Sequence, residues 1–475
     1  MKRHVPAALL GCSLSTLLLA DVGGALAKDK VDLSPIEELG SKIFFDENLS
    51  INRNQACASC HVPEVGWTGE DPEINDAGAV YEGSIEGKFG DRKPPSSAYA
   101  SLAPIFYADF GNRLLPNNND PVDDPLFVGG NFWDGRATGW ELGNPAADQA
   151  QGPFLNPVEQ ALPDAACVVY RVCEGRYGDL FREVWNPNIC VIDWPTNINT
   201  VCKTVGGEVS ASTQDRNKVN NAYDRVALSV AAFEGSKASN AFTSKIDAHR
   251  AGEYDFTPEE ELGRQIFRGK GKCALCHVGT GGPGAPPPLF TDFTFDNLGV
   301  PKNPENPFLI ANPTWTDPGL EGFLSNVPGF AEYADDNLGK HKVPTLRNVA
   351  LGSCEALDED DEHDDDEEED ERRKPSKDDD DECIVKAYMH NGYLKSLKQV
   401  VNFYNTRDFK PRCELLDPPI YDATAEVAMA NGCWPAPEVA ENVNVEELGD
   451  LGLTEEEEDA LVAFMQAMSD GYMKK

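Results

Sequence analysis

Two short motifs constrain this chain more than any other feature, because each places two cysteines and a histidine at one fixed spacing. The motifs are CASCH, with Cys57, Cys60 and His61, and CALCH, with Cys273, Cys276 and His277. Cysteines at this spacing lie one helical turn apart, so their thiols can bond the two vinyl groups of one porphyrin while the adjacent histidine ligates its iron. The motifs therefore predict two covalently bound haem c groups, with His61 and His277 as metal ligands.

A pair of zinc or redox sites is the alternative interpretation of two CxxC motifs. This alternative does not explain why a histidine follows directly in both motifs. Because the motifs lie far apart in the chain, we expect one haem in each of two domains, over residues 28–245 and 246–475.

The beginning of the chain indicates export. A basic start precedes an apolar run that ends in the small-residue pattern ALA, which is typical of a secretory signal peptide over residues 1–27, cleaved near Ala27. Cys12, within LLGC, leaves a lipoprotein anchor as an alternative, although the apolar run continues beyond that cysteine. Later stretches are not apolar enough to span a bilayer. We therefore expect a periplasmic or otherwise exported protein with no transmembrane segment, in a compartment that permits haem attachment.

The net charge is strongly negative, at -40, from 41 Lys and Arg against 81 Asp and Glu. This balance argues against nucleic acid or an anionic membrane as partner, and favours solubility or a basic protein partner. Residues 355–382 contain 19 acidic and 4 basic residues, and are predicted to form a solvated, disordered insert because they cannot bury apolar surface. A low-affinity site for calcium or another hard cation is the alternative interpretation of this acidic insert.

Eight of the 13 cysteines remain after the two motifs and Cys12 are set aside. An even number in an exported chain predicts structural disulfides. The eight form two local quartets, one of Cys167, Cys173, Cys190 and Cys202 and one of Cys354, Cys383, Cys413 and Cys433. Spacing does not determine their pairing, although a bond between Cys354 and Cys383 would close the neck of the acidic insert.

The secondary structure is predicted to be mainly α-helical. PEEELGRQIFR, directly before the second motif, and RVALSVAAFEGS, further upstream, carry apolar residues on one helical face. Few segments alternate as strands do, and connectors such as GTGGPGAPPPLF indicate long loops around the haems. The predicted fold is mainly α, with two cytochrome c-like haem domains, long loops and an acidic disordered insertion.

Six stretches, in a characteristic order along the chain, carry a resemblance to a known family. They are FFDENLSINRNQACASCH, NFWDGRATGW, DQAQGPFLNPVEQ, FTDFTFDNLGVP, KVPTLRNVAL and YMHNGYLKSLKQVVNFY. With them the chain resembles the bacterial di-haem cytochrome c peroxidase superfamily, nearer its Tyr-ligated MauG-type members, over nearly all of the mature chain. The resemblance implies a peroxidatic haem in the N-terminal domain and an electron-transfer haem in the C-terminal domain.

The resemblance also implies roles for five residues outside the motifs. Trp133 would carry electrons between the haems, and Gln149 and Glu159 would line the open face of the first haem. Glu159 would move one proton of peroxide from its inner to its outer oxygen, a role that suits a carboxyl in a partly apolar pocket. Arg136 and Arg347 resemble partners of haem propionates, which arginine binds with two hydrogen bonds. From residue type alone, Trp133 would be a core aromatic and Glu159 a surface carboxylate.

The histidines decide what caps the first haem. Many family members place a histidine on this haem shortly after the motif, but none occurs here between His61 and His249. The first haem is therefore expected to be five-coordinate or water-bound, and ready for peroxide. His249 would reach it only by folding across from SKIDAHRAGEYDF, which we interpret as a surface turn after a helix.

Tyr404 is the predicted ligand of the second iron. Ser396 and Gln399 form a capping box, so a helix is predicted to begin at Leu397 and to carry Tyr404 on its apolar face. Periodicity alone would make this tyrosine the last core residue of that face. The resemblance places the sixth ligand fourteen residues after His390, where many family members have methionine and MauG-type members have tyrosine. A phenolate favours oxidised iron, whereas a thioether favours Fe(II).

Two positions depart from the family pattern. Gly271 stands two residues before the second motif, where MauG-type members have a tryptophan as exit for oxidising equivalents. At the calcium site of the family, this chain has Lys93 in place of an asparagine, with the backbone ligands expected near Val385 and Ala387. Calcium is thus implied as a further cofactor but is unsupported at one ligand.

Together these features predict an exported di-haem peroxidase that uses hydrogen peroxide to oxidise a protein partner, for example by modifying its tryptophan. The alternative is a cytochrome c peroxidase that reduces hydrogen peroxide to water with electrons from a small cytochrome or cupredoxin. A second alternative is a non-enzymatic electron-transfer cytochrome.

Overall fold

The computed structural model describes residues 31–111, 125–279, 286–354 and 384–473. The predicted signal peptide, with Cys12 and Ala27, and the predicted acidic insert at 355–382 lie outside these ranges. The described residues from Leu33 onward form one compact unit.

Helices dominate the described ranges, which confirms the mainly α prediction. Most of the helices follow a Ser, Thr, Asp or Asn residue that caps their first turn. The helices are α1 (Pro35–Phe44), α2 (Pro72–Asp76), α3 (Pro145–Ala150), α4 (Gly152–Leu155), α5 (Ala165–Glu174), α6 (Gly178–Val184), α7 (Ile198–Val201), α8 (Thr213–Glu234), α9 (Lys245–Ala251), α10 (Pro258–Arg268), α11 (Pro307–Ala311), α12 (Leu320–Leu324), α13 (Leu397–Thr406), α14 (Ala425–Ala430) and α15 (Glu455–Gln466). None of these helices combines the length and the apolarity that a bilayer crossing requires.

The strands that the structure describes are short and form two antiparallel pairs. The pairs are β1 (Tyr107–Asp109) with β2 (Leu126–Val128), and β3 (Phe295–Asp296) with β4 (His341–Lys342). The β4 strand matters for the site, because the Lys342 amide donates a hydrogen bond to the Trp133 carbonyl oxygen at 2.8 Å.

In each half of the chain, the helix before a CxxCH motif packs through a glycine onto a later helix. Gly40 of α1 lies against α8, where a Cβ atom on the glycine would lie 1.9 Å from the carbonyl oxygen of Ser229. Gly263 of α10 lies against α15, where a Cβ atom would lie 1.8 Å from the carbonyl oxygen of Ala460. Only a residue without a Cβ atom permits such a close approach. The two helix pairs therefore give both motifs the same local support.

Two hydrophobic cores surround these helix pairs. The fully buried residues of the first core lie between Leu39 and Phe233, and those of the second between Ile246 and Met468. The change from one core to the other falls beside the predicted domain boundary. Separate haem domains over residues 28–245 and 246–475 stay a prediction, since a third core cluster joins Phe106 and Phe127 to Phe295 and Leu320 across this boundary.

Disulfides form among the cysteines outside the motifs, as predicted. The bonds are Cys167–Cys202, Cys173–Cys190 and Cys413–Cys433. Cys354 is also disulfide-bonded, and its expected partner Cys383 lies outside the described ranges. The three bonds are local, and each lies within one of the two predicted quartets.

The segment around His249 forms helix α9, so the prediction of a surface turn was wrong. A capping box begins this helix: the Ser244 hydroxyl accepts from the Asp247 amide at 3.3 Å, and the Asp247 carboxylate accepts from the Ser244 amide at 3.0 Å. A Ser-x-x-Asp pattern is a weaker helix signal than Ser-x-x-Glu, which is why the sequence does not readily indicate this helix.

Candidate functional site

The first CxxCH motif forms a short 3-10 turn that presents its histidine to a cavity. The turn covers Cys57–Ser59, and the amides of Cys60 and His61 both donate to the Cys57 carbonyl oxygen at 3.1 Å. Both thiols are free. The His61 Nδ1 atom donates to the Trp67 carbonyl oxygen at 3.1 Å, which leaves Nε2 as the ligand atom. Burial lowers the pKa of His61 to about 4, so the ring is neutral, as iron ligation requires.

The second motif repeats this arrangement. Its turn covers Cys273–Leu275, and the His277 amide donates to the Cys273 carbonyl oxygen at 2.8 Å. The His277 Nδ1 atom donates to the Phe290 carbonyl oxygen at 2.9 Å, and burial lowers the pKa of this histidine as well. Cys273 and Cys276 are free thiols. Each motif histidine therefore has a backbone partner on one ring nitrogen and a ligand nitrogen on the other.

The residues at both motifs fit a haem group better than a zinc ion. Each motif lines a large, mostly apolar cavity, called here the first cavity for His61 and the second cavity for His277. A zinc ion would need the thiols and the imidazole of one motif to converge on a point. Within the described ranges, the groups that converge in this way are Asp317–His341–His390 and Cys276–Asp296–Glu447. Neither contains a complete motif, whereas a porphyrin uses the thiols only as covalent anchors.

Glu159 is an acidic group in the lining of the first cavity. It follows helix α4; its amide donates to the Asn156 carbonyl oxygen at 3.0 Å, and its carbonyl oxygen accepts from the Ser84 amide at 2.7 Å. These bonds hold the backbone, and the side chain lines the cavity together with Gln149 of α3. Burial raises the pKa of Glu159 to about 7, although Arg136 opposes the rise. A carboxyl that titrates near neutral pH can both accept and return a proton.

Trp133 lines both cavities. Its Nε1 atom donates to the Lys93 carbonyl oxygen at 2.9 Å, and its carbonyl oxygen accepts from the Lys342 amide at 2.8 Å. The side chain of Lys342 lines both cavities as well, and burial lowers its pKa to about 7. The indole is thus held between the two motifs, and its role in electron transfer stays a prediction.

The two arginines predicted to bind propionates lie in different surroundings. Arg136 lines the first cavity, where its guanidinium pairs with Asp134 at 2.5 Å and lies 4.0 Å from the centre of the Phe132 ring. Arg347 lines neither cavity. Its guanidinium binds both carboxylate oxygens of Asp247, at 2.8 and 2.9 Å. The predicted contact of Arg347 with a propionate has no support, because a carboxylate from α9 already neutralises its charge.

Helix α13 begins at Leu397, as predicted, and places Tyr404 in the lining of the second cavity. The Ser396 hydroxyl accepts from the Gln399 amide at 3.0 Å. The Gln399 side chain, however, accepts from the Lys395 amide at 2.7 Å, where a complete capping box would use the Ser396 amide. One half of the predicted capping box is therefore present, and it is enough to begin the helix.

The Tyr404 phenol is a candidate ligand of the second iron. Burial raises its pKa, and the neighbouring thiols of Cys273 and Cys276 act in the same direction. A phenolate in such surroundings needs a nearby cation, which ferric iron supplies. Met389, Met465, His341 and His390 line the same cavity, so the ligation of this iron by Tyr404 stays a prediction.

Glu234 is a residue of the first cavity that the sequence alone did not indicate. It ends helix α8, and burial raises its pKa to about 8. The helix dipole disfavours a carboxylate at the C-terminal end of a helix, and this one follows the apolar run VAAF. A glutamate directly after an apolar run at the end of a helix could have indicated a buried carboxyl group with a role in the cavity.

His249 lies away from the first cavity. Its Nδ1 atom donates to the Tyr254 carbonyl oxygen at 2.9 Å, and its ring stacks on Phe256 with the centroids 4.2 Å apart. Among the residues that the structure describes around this cavity, His61 is the only histidine.

The residues at the implied calcium site do not fit that ion, which takes about six to eight oxygen ligands. The Lys93 side chain is buried and ends in an amine, a hydrogen-bond donor. The Val385 carbonyl oxygen accepts from the Asn75 Nδ2 atom at 3.0 Å. Groups of the protein itself thus occupy two of the positions from which calcium would be ligated.

Known proteins resemble this chain over most of its length. A family model for di-haem cytochrome c peroxidase matches residues 34–255. The chain is 29% identical over 464 residues to methylamine utilization protein MauG of Paracoccus denitrificans (strain Pd 1222), covering 97% of this chain and 95% of that protein. It is 24% identical over 443 residues to cytochrome-c peroxidase IdrP1 of Denitromonas iodatirespirans, covering 91% of this chain and 80% of that protein.

The fold has a counterpart among solved structures. The diheme peroxidase BthA from Burkholderia thailandensis E264 has a TM-score of 0.65 at 24% identity, covering 93% of this chain and 87% of that one. The family model includes the first motif, and the match to MauG, at 97% of this chain, extends through the second. Two cavities that each contain a CxxCH motif fit two haem groups. Residues 34–255 therefore match the di-haem cytochrome c peroxidase family, the similarity to MauG and to IdrP1 extends over most of the chain, and the protein is a di-haem peroxidase.

Proposed function

We propose that this protein carries two covalently attached haem c groups and uses hydrogen peroxide to oxidise a protein partner. The observation that carries the proposal is Tyr404 in the lining of the second cavity. A methionine in its place would favour reduced iron and the storage of one electron, whereas a phenolate favours oxidised iron. The second site is thereby suited to hold an oxidising equivalent and to pass it on.

Haem iron supplies the redox chemistry, in which hydrogen peroxide takes up two electrons and two protons to give two water molecules while the partner loses the two electrons. Glu159 accepts a proton from one peroxide oxygen and returns it to the other, which then leaves as water. Its pKa of about 7 keeps both protonation states populated near neutral pH. Gln149, which lines the same cavity, orients the peroxide with its side-chain amide.

Two carboxyl groups beside the second cavity support its oxidising role. Asp296 and Glu447 line this cavity near Cys276. The Asn444 Nδ2 atom donates to both carboxyl groups, at 2.6 Å to Asp296 and 2.8 Å to Glu447. Negative groups close to an iron stabilise its more oxidised states.

Absorption and electron paramagnetic resonance spectra of the purified holoenzyme test the ligation. We expect Tyr404→Phe to change the spectrum of one haem and to leave the other unchanged. Met389→Leu and Met465→Leu are matched controls, because both methionines line the same cavity, and both variants should keep the wild-type spectra. An unchanged spectrum in Tyr404→Phe, or a methionine-type signal that one of the control variants removes, would contradict the proposal.

Reduction of hydrogen peroxide to water with electrons from a small cytochrome or cupredoxin is the second candidate function. The similarity to a protein named cytochrome-c peroxidase favours it. Rapid steady-state turnover of peroxide with reduced cytochrome c would support this candidate, and our proposal expects slow turnover in that assay.

We also infer that the protein is exported to the periplasm or beyond, with cleavage near Ala27. The disulfides support this inference, because such bonds persist in oxidising compartments. The intact mass of the denatured mature protein tests export and haem attachment together. We expect a chain that lacks residues 1–27 and retains two haem groups; a full-length chain, or haem lost on denaturation, would contradict the inference.

A further inference from the structure

At one junction, three lysines join two segments of the chain, residues 65–94 and the described residues of 348–395, which are 348–354 and 384–395. The clearest case is Lys386, whose ammonium donates to the carbonyl oxygens of Val65 at 3.0 Å, Asn348 at 3.1 Å and Leu351 at 3.0 Å. The residue is 5% exposed. An ammonium has three N–H donors and no acceptor. The three carbonyl oxygens around it form the kind of oxygen cage in which a protein holds a metal cation.

The two segments approach each other closely at this cage. Gly66 adopts a φ of +77°, and a Cβ atom on it would lie 2.7 Å from the Asn348 carbonyl oxygen and 3.5 Å from the Lys386 ammonium. Backbone from both segments therefore closes around one cationic group, with no room for a side chain between them.

A second lysine crosses the junction in the same direction. Lys395 donates to the carbonyl oxygens of Asn75, at 2.6 Å, and Ala77. The Asn75 side chain in turn donates to the Val385 carbonyl oxygen at 3.0 Å and to the Gly69 carbonyl oxygen at 2.9 Å. Side chains of each segment thus donate hydrogen bonds to backbone carbonyl oxygens of the other.

Lys93 adds a third amine at the same junction. Its backbone amide donates to the His390 carbonyl oxygen at 2.8 Å. Its side-chain nitrogen donates to the Thr68 hydroxyl and to the Pro94 carbonyl oxygen, each at 2.9 Å. The amine thus stands among oxygen atoms at the position from which the family would offer a calcium ligand.

A divalent cation and a buried ammonium can both pair with the carbonyl oxygens at this junction. Carbonyl oxygens from two segments that face each other in a buried place need donors or a cation, because an unpaired buried polar group is unfavourable. A lysine supplies the cation from within the chain, so no ion has to be bound from solution.

We propose that Lys93, Lys386 and Lys395 form a lysine clamp that takes the place of a bound cation, so that the folded holoenzyme does not depend on calcium. This proposal contradicts the calcium that the resemblance implies. It stands independently of the proposed oxidation of a protein partner.

Calcium analysis of the purified wild-type holoenzyme is the first test. We expect well below one equivalent of calcium per chain by elemental analysis after dialysis. The thermal unfolding midpoint should be the same in excess EGTA and in added calcium chloride. One tightly held equivalent, or a midpoint that falls in EGTA, would overturn the proposal.

Variants of the clamp are the second test, with thermal unfolding and the haem spectra as readouts. Lys386→Met and Lys395→Met keep most of the side-chain length but leave the carbonyl oxygens without their donors, so we expect the midpoint to fall by several degrees in both. Lys203→Met is the matched control, because Lys203 is exposed, and it should unfold like the wild type. Junction variants that unfold like the control would overturn the proposal. If a junction variant does not fold, the calcium measurement on the wild type still decides.

Discussion

At the scale of single residues, two buried carboxyl groups are the main chemical feature of the first cavity. Glu159 and Glu234 both line it, and burial raises their pKa values to about 7 and about 8. Both side chains are therefore exchangeable proton carriers near neutral pH. Both carboxyl groups also raise the pKa of the Cys57 thiol, and Glu159 raises that of Cys60 as well. We assign the proton transfer to Glu159, because the family resemblance implies that role for this residue.

Replacing Glu159 with glutamine should slow the reaction with peroxide, because glutamine has a similar shape but cannot accept and return a proton. We expect the second-order rate constant, measured by stopped-flow absorption of the haems, to fall about 10²- to 10⁴-fold. Glu183→Gln is a control on an exposed carboxylate and should react like the wild type. Equal rate constants for wild type and Glu159→Gln would remove Glu159 from the mechanism.

The raised pKa of Glu159 adds a pH dependence to this prediction. The ionised form accepts the proton, so the wild-type rate constant should rise with pH through about 7 and then level off, and Glu159→Gln should lack this step.

Between the ordinary pKa of 4.5 and about 7 the folded state binds more protons than the unfolded state, so the contribution of Glu159 to stability falls as pH rises. Glu159→Gln should therefore gain thermal stability relative to wild type between about pH 5 and about pH 8. A difference in midpoint that does not change with pH would contradict the assignment.

A residue could be predicted when the pattern that indicates it lies within a few positions of the sequence, and not when its partner is distant in the chain. The six motif residues follow from spacing within five positions, and Tyr404 and Glu159 needed the family resemblance, since periodicity and residue type favoured a core tyrosine and a surface carboxylate. Arg347 could not be placed, because its partner Asp247 is distant in sequence and became visible only in the fold. Lys386 and Lys395 of the clamp were missed for the same reason, whereas Lys93 was noted only as a departure from the family pattern.

At the scale of elements, the two glycine-mediated helix crossings determine where the motifs sit. Helices α1 and α10 each end shortly before a motif, and each packs through its glycine onto α8 or α15. A change at either crossing should therefore affect the stability of the half that contains it.

Gly40→Ala and Gly263→Ala should each lower the free energy of unfolding by about 1–3 kcal/mol, because the new methyl group would overlap a backbone carbonyl on the facing helix. Denaturant titration followed by circular dichroism measures the effect. Gly90→Ala is the control, since no atom lies within 4 Å of the position of its Cβ. A Gly40→Ala or Gly263→Ala variant as stable as this control would contradict the close crossing.

Local signals predicted the elements unequally. Helix α10 and the long helix α8 follow from apolar periodicity, and the start of α13 follows from Ser396 as cap. Helix α9 was missed, because its Ser244–Asp247 cap is a weak pattern and the helix is short. The two strand pairs have two or three residues per strand, too few for an alternating pattern to be recognised.

At the scale of the whole molecule, charge restricts the kind of partner. The net charge of -40 attracts basic surfaces and repels acidic ones at low ionic strength. Exported proteins with a basic face and an exposed tryptophan or tyrosine are therefore the candidates to supply electrons. The second cavity, with Tyr404 and the Asp296–Glu447 pair, is the site from which oxidising equivalents would leave.

Mass spectrometry of such exported proteins, before and after exposure to the holoenzyme and hydrogen peroxide, tests the central claim most directly. We predict that one protein changes mass at a specific aromatic residue, only when enzyme and peroxide are both present, and that Glu159→Gln holoenzyme sharply slows this change. Peroxide consumed rapidly with reduced cytochrome c, and no exported protein modified, would contradict the account and establish the protein as a peroxide-reducing cytochrome c peroxidase.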